Sequence, residues 1–147
     1  MSISPIVLYN QAFLELFDGT IDWNDAANVA AVLCTADYVP ELTHTTYNDL
    51  TNEVATGGEH DYEPKAVGTR TTVRDGDEIQ YKSAAVSWGA NVTISARYLV
   101  LVLGNPASLA TSDKLIGYVD FGEAKASTDS TFSYTPPATG WFRVSRA

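Results

Sequence analysis

The run Asn91-Val-Thr-Ile-Ser-Ala-Arg-Tyr-Leu-Val-Leu-Val-Leu103 decides the fold class, because its pattern changes halfway along. From Val92 to Tyr98 the residues Val92, Ile94, Ala96 and Tyr98 fall on one face of a strand, and Thr93, Ser95 and Arg97 on the other. That half lies against a single core. From Leu99 to Leu103 every residue is apolar, which a strand tolerates only when both of its faces are covered. The cover is either the N-terminal helix described next or a neighbouring subunit, and in the second case Leu99, Leu101 and Leu103 mark an oligomer.

Working outward, the spacing predicts one N-terminal helix over about 5–17, with Ser4 as N-cap, Pro5 at the first helical position and Asp18-Gly19 as the stop. Ile6, Tyr9, Phe13, Leu16 and Phe17 share one side at helical spacing and are expected to pack on a sheet. Beyond it the chain reads as β: a short strand at 21–23, a core strand at 29–35, and a hairpin of 69–74 and 78–82 around Asp75-Gly76-Asp77. Further strands follow at 84–88, 91–103, 115–121, 132–134 and 141–146. Residues 37–64 read as a long surface excursion with one helical turn at 46–50, and 59–64 as its most mobile part. The expected architecture is one domain over 1–147, mainly β. It is an antiparallel β-sandwich or jelly-roll-like barrel of about 7–9 strands with one N-terminal α-helix.

Composition narrows the function classes. The 147 residues carry 18 acidic and 9 basic side chains, a net charge of −9, and the basic ones are scattered, which disfavours direct nucleic-acid binding. No apolar run approaches the roughly 18 residues needed to span a bilayer, so no membrane partner is expected. The N-terminus lacks a signal-peptide pattern, which implies synthesis in a reducing cytoplasm. The single Cys34 lies in the apolar run Val29–Cys34 and reads as a buried, inert thiol.

Each candidate chemistry has a simpler explanation. Asp75, Asp77 and Glu78 are oxygen-rich, but Asp-Gly is already required by the hairpin turn, so they read as a solvated tip and not as a calcium loop. His44 and His60 are the only imidazoles, and even with Glu59, Asp61 and Glu63 nearby they match no zinc spacing. There is neither a Gly-x-Ser-x-Gly elbow nor a phosphate-binding glycine loop. Asp22 with Asp25, or Glu59 with Glu63, could supply acid and base to a small glycosidase or lyase if they stood about 5–10 Å apart in a cleft. They read instead as surface charges, and neither an enzyme nor a cofactor or metal is expected. Asn91-Val-Thr93 is formally a glycosylation sequon, disregarded because it lies in a buried strand. Trp23, Trp88 and Trp141 with eight tyrosines leave open a glycan platform or a protein interface. Trp88 is expected in the core, and either Trp141 or its neighbours Phe142 and Val144 must find a second cover.

Taken in order, Phe13-Leu-Glu-Leu-Phe-Asp-Gly-Thr-Ile-Asp-Trp23, Val29-Ala-Ala-Val-Leu33, Thr43-His-Thr45, Asn52-Glu-Val54, Val92 to Tyr98, Leu115-Ile-Gly-Tyr-Val-Asp-Phe-Gly122 and Phe132-Ser-Tyr134 form a pattern over nearly the whole chain. This pattern resembles a family of small virion proteins of tailed bacteriophages, encoded among head and tail structural genes. The family commonly has a tight Gly-Tyr-rich turn after the Glu-Val pair, where this chain has Gly57-Gly-Glu-His-Asp-Tyr62. The resemblance implies a non-enzymatic structural component, a capsid decoration or cement protein on the outer surface of the head. Its implied partners are the major capsid protein and itself, as a homodimer or trimer. Termini, loops and an edge strand are the free parts of a sandwich, so the expected contact residues are Ser2, Ile3, Ser4, Pro5, His44, Tyr47, Tyr62, Trp141, Arg143 and Arg146. The alternative is a tail or head-fibre component that binds host glycan or another virion protein.

Overall fold

The computed structural model describes residues 6–56 and 61–146, and within them the chain is mainly β with antiparallel sheets and one α-helix. The central ladder is β7 (Val92–Leu103) against β8 (Lys114–Ser130). Around it a five-stranded sheet runs in the order β1 (Ile6–Leu8), β8, β7, β2 (Ala30–Cys34), β3 (Lys65–Ala66). A three-stranded sheet is formed by β10 (Phe142–Ser145), β5 (Glu78–Lys82) and β4 (Thr71–Asp75), and a two-stranded one by β6 (Val86–Ser87) and β9 (Ser133–Tyr134). One continuous apolar cluster takes in residues of all three sheets, which is the sandwich arrangement expected from the strand pattern.

The change of pattern in β7 is explained within one chain. Leu99, Val100, Leu101 and Val102 are all fully buried and Leu103 half-buried without any partner subunit. Val100 stands opposite Val32 and Tyr118, and on that side Tyr118 meets the rings of Tyr9 and Tyr98, with Tyr38 edge-on to Tyr98. On the other side Leu99 and Leu101 line up with Leu33, Ala31 and Val119. The leucines therefore carry no information about oligomers. Between the pairs Tyr98/Asp120 and Ala96/Lys125 the β8 chain holds extra residues in a bulge, where Gly122 adopts φ +84 and Asp120 Oδ1 accepts its N–H at 2.8 Å. Arg97 grips both oxygens of Asp120, at 3.0 and 3.2 Å, beside that bulge.

Several boundaries move. Residues 6–8, expected in the helix, form β1 by pairing with Gly117–Val119. The helix, α1 (Asn10–Asp18), begins after Tyr9, while its stop is as expected, with Gly19 left-handed at φ +86. Ser4 and Pro5 lie outside the described residues. The strand expected at 21–23 is instead a turn: Asp22 Oδ1 accepts the N–H groups of Asn24 and Asp25, and Trp23 is drawn inward to donate Nε1–H to the Lys82 carbonyl at 3.0 Å. The excursion keeps its helical turn at Tyr47–Asp49, where Asp49 Oδ2 accepts the N–H groups of Thr45 and Thr46. Of the segment expected to be most mobile, Glu59 and His60 lie outside the described residues, whereas Tyr62 is anchored in the core.

Both aromatic residues at the start of the last strand find cover, in different places. Trp141 packs against Tyr134, centroids 5.1 Å apart, and donates to Ser83 Oγ. Phe142 stacks on Tyr81 at 4.3 Å with Trp23 edge-on at 5.6 Å. Arg70 ties this aromatic group to the first sheet by donating to the carbonyls of Trp23, Val67 and Ala26. Replacing Arg70 with Met leaves three partly buried carbonyls without that donor. Arg70→Met should lower stability by about 1–3 kcal/mol, read as a lower urea midpoint at unchanged slope. Arg70→Lys should not rescue it, because an ammonium cannot span three acceptors in a plane.

Candidate functional site

The surface with the clearest claim to function is the outward side of α1. A helix packed on a sheet ordinarily buries its apolar stripe, yet the residues of α1 buried here are Ala12 and Glu15, while Phe13, Leu14 and Phe17 are 49%, 56% and 64% exposed. At about 100° per residue, Phe17 lies mid-stripe, with Phe13 about 40° to one side and Leu14 about 60° to the other. The rings of Phe13 and Phe17 meet edge to face at 5.2 Å. Asn10 is the one other residue on this arc, so the stripe carries no charged side chain. Loop residues Val39 and Leu42 are exposed as well, and the Leu42 carbonyl accepts the Asn10 N–H at 2.9 Å, which brings that loop to the start of the helix.

The phase of the helix has an identifiable cause. Tyr9, immediately before α1, is fully buried against Tyr118 and hydrogen-bonded to Tyr38 at 2.9 Å, which fixes where the first turn begins. The small side chain of Ala12 then permits close approach to the sheet. Glu15, 4% exposed, is neutralised by Lys114 of β8 at 2.7 Å and receives a hydrogen bond from Gln11 Nε2 at 3.0 Å. An apolar side was available, and a carboxylate was buried in its place. The expected inward packing of Phe13 and Phe17 is therefore corrected: of the expected stripe, Ile6 and Tyr9 are buried and Leu16 is half-buried against the core, and Ala12 joins them.

The contact residues expected from the sequence fall into separate local networks. Ser2, Ile3, Ser4 and Pro5 lie outside the described residues. His44 is half-buried, its Nδ1 3.0 Å from the hydroxyl of Tyr38, and that ring in turn meets Tyr9, so it belongs to the packing under the excursion. Tyr47 donates to Glu53 Oε1, and Tyr62 donates to Oε2 at 2.8 Å while accepting the Leu33 N–H at 3.0 Å. Tyr62 and Trp141 are buried at 1% and 0% exposure and are corrected to core residues, since their polar atoms are used inside the chain. Arg143 lies 3.7 Å from Glu78, and Arg146, 84% exposed, 3.6 Å from Asp77. The acids of the hairpin tip are thus drawn to the last strand, with Gln80 donating to Glu78 at 2.5 Å.

Ionisable groups with shifted behaviour serve the same packing. Burial, foremost, raises Tyr9, Tyr47 and Tyr62 well above the usual tyrosine range, and the Glu53 carboxylate adds to the effect at Tyr47 and Tyr62. Burial pushes Tyr38 up to about 12 and the Cys34 thiol up to about 12, which leaves Cys34 unreactive at neutral pH. All three tryptophans are buried, so none forms an exposed glycan platform. Among the described residues, open depressions are available to a small ligand. One of about 480 Å³ adjoins Tyr47, Glu53 and Ser108, and one of about 340 Å³ is lined by Phe121, Lys125 and Tyr134.

The tyrosine network sets an alkaline limit on stability. A phenol whose folded pKa lies above its unfolded value of about 10 contributes stability that is complete below pH 10 and lost as pH rises towards the folded value. The melting temperature should therefore hold steady from about pH 7 to 9.5 and fall beyond pH 10. Ultraviolet titration should show Tyr9, Tyr38, Tyr47 and Tyr62 ionising only with unfolding, and Tyr38→Phe should reduce the alkaline slope. Comparison of the chain with known protein families, with curated proteins and with solved structures found no match.

Proposed function

We propose that this protein is a non-enzymatic structural component of a bacteriophage virion, a decoration or cement protein on the outer surface of the head that binds the major capsid protein. The observation that carries a role in protein contact is the inverted helix, with Phe13, Leu14 and Phe17 turned to solvent and Glu15 turned to the core. A contiguous apolar surface of that kind marks a protein–protein contact more often than chance exposure does. The virion assignment rests on the pattern of residues from Phe13 to Tyr134 that resembles small phage virion proteins. The acidic balance, −9 over 147 residues, suits a chain placed outside a shell and away from packaged nucleic acid.

Binding that favours the assembled shell over its free subunits shifts the equilibrium towards the shell by the difference in affinity. Such a protein needs no chemistry of its own, only complementary surface repeated with the symmetry of the lattice. Of the contact residues expected from the sequence, Arg146 is presented to solvent beside Asp77, and the excursion around Tyr47 and Thr56 borders an open depression of about 480 Å³. These are the elements assigned to the capsid side.

With the tryptophans enclosed, the groove of Phe121, Lys125 and Tyr134 is the place where aromatic rings could serve the glycan-binding alternative. A glycan array with the isolated protein tests it, and binding abolished by Tyr134→Ala would favour it. For the head assignment, gold-labelled antibody against this chain should decorate the heads of purified particles at many symmetry-related positions. Label confined to the tail tip, with bare heads, would overturn it.

A further inference from the structure

The outward side of α1 has a shape that suits one occupant in particular. Its exposed residues Asn10, Phe13, Leu14 and Phe17 are centred between Phe13 and Leu14 along the helix axis. Two such stripes laid antiparallel about a two-fold axis at that centre bring Phe13 beside Phe13 of the other copy on one side of the seam and Leu14 beside Leu14 on the other, with Phe17 of each copy over Asn10 of its partner. Each pairing maps onto itself under the two-fold or repeats by it, as an isologous contact requires.

The charges at the two ends of the stripe are complementary under the same operation. Asp18, in the last turn of α1, stands at the negative end of its own helix dipole, an unfavourable place for an acid. The first turn holds no acidic residue and Tyr9 makes no side-chain cap, so the positive end has no anionic side chain of its own. Antiparallel pairing brings each Asp18 to the first turn of the other helix. Hydrogen bonds from Thr20 hold the Asp18 carboxyl below the ordinary carboxylate range and thus ionised. Each copy carries a charge of −9, but the stripe itself has no charged side chain, and at physiological salt repulsion between distant groups is screened over about 8 Å.

We propose that the exposed Phe13–Leu14–Phe17 face of α1 docks on the same face of a second copy of this chain, as an antiparallel two-helix contact. This contact rests on the reading of α1 as a protein-binding surface and is independent of the virion assignment. A single nine-residue helix offers less than the about 800 Å² per partner of a standard interface. The dimer is therefore reversible, and its occupancy rises where copies are concentrated side by side.

Sedimentation equilibrium of the full chain tests the proposal. The wild type should pass from monomer to dimer with rising concentration. Phe17→Asp, at a position already 64% exposed and so compatible with folding, should weaken association about 30-fold or more. Leu14→Cys places a thiol within about one residue rise of the axis. Because the native Cys34 is buried, mild oxidation of Leu14→Cys should give a single disulfide-linked dimer. A chain that stays monomeric at every concentration overturns the proposal, as does a dimer indifferent to Phe17→Asp. If the chain stays monomeric and Phe17→Asp instead abolishes binding to purified heads, the occupant is a shell protein. The self-contact then fails while the virion reading stands. Dimerisation in a chain that labels no head would leave the self-contact standing without the virion reading.

Discussion

Between Leu99 and Val102 the strand β7 is closed to water on both faces, and that constraint propagates through the molecule. On one side it requires Tyr9, Tyr38 and His44 to come down over Tyr98 and Tyr118, which pins the start of α1 and the base of the long excursion. On the other it requires Leu33 and Val119 to join the core that the second sheet completes through Trp23, Trp141 and Phe142. Two polar groups drawn in by this closure find several partners within the chain. Glu53 accepts from two tyrosines, and Arg70 donates to three carbonyls.

The orientation of α1 follows from the same closure. Once Tyr9 is seated on Tyr118, helical geometry leaves Ala12 and Glu15 facing the sheet, and the ion pair with Lys114 makes the buried carboxylate tolerable. The phenylalanines are exposed as the geometric remainder.

What could be read from the sequence was local. The alternation from Val92 to Tyr98, the Asp75-Gly76-Asp77 hairpin and the Gly19 stop each rest on steric rules that act within a few residues, and each is present in the fold. The start and phase of α1 were not legible because they depend on Tyr118 and Lys114, about a hundred residues away. Phe13-Leu-Glu-Leu-Phe17 has apolar residues on more than one arc, so periodicity alone leaves either side free to face inward. The second half of β8 was hidden for a related reason. Gly122–Ser130 shows no apolar alternation, and among its residues only Ser127 is buried, its Oγ accepting the Ile94 N–H and donating to the Val92 carbonyl in place of regular ladder bonds. Tyr62 and Trp141 were misplaced as contact residues because the partners that hold them, Glu53, Leu33 and Ser83, are brought in by tertiary structure.

The bulge in β8 has a consequence for behaviour at high concentration. Among the described residues β1 covers only Gly117–Val119, and an unbroken strand continuing to Ser130 would offer other chains a long template for edge-to-edge growth. The kink at Gly122, with Arg97 and Asp120 clasped beside it and Glu123 paired to Lys125 just beyond, breaks that template into short charged pieces. Many copies can therefore be crowded together without their sheets fusing into a fibre, which leaves association to side-chain surfaces such as the helix.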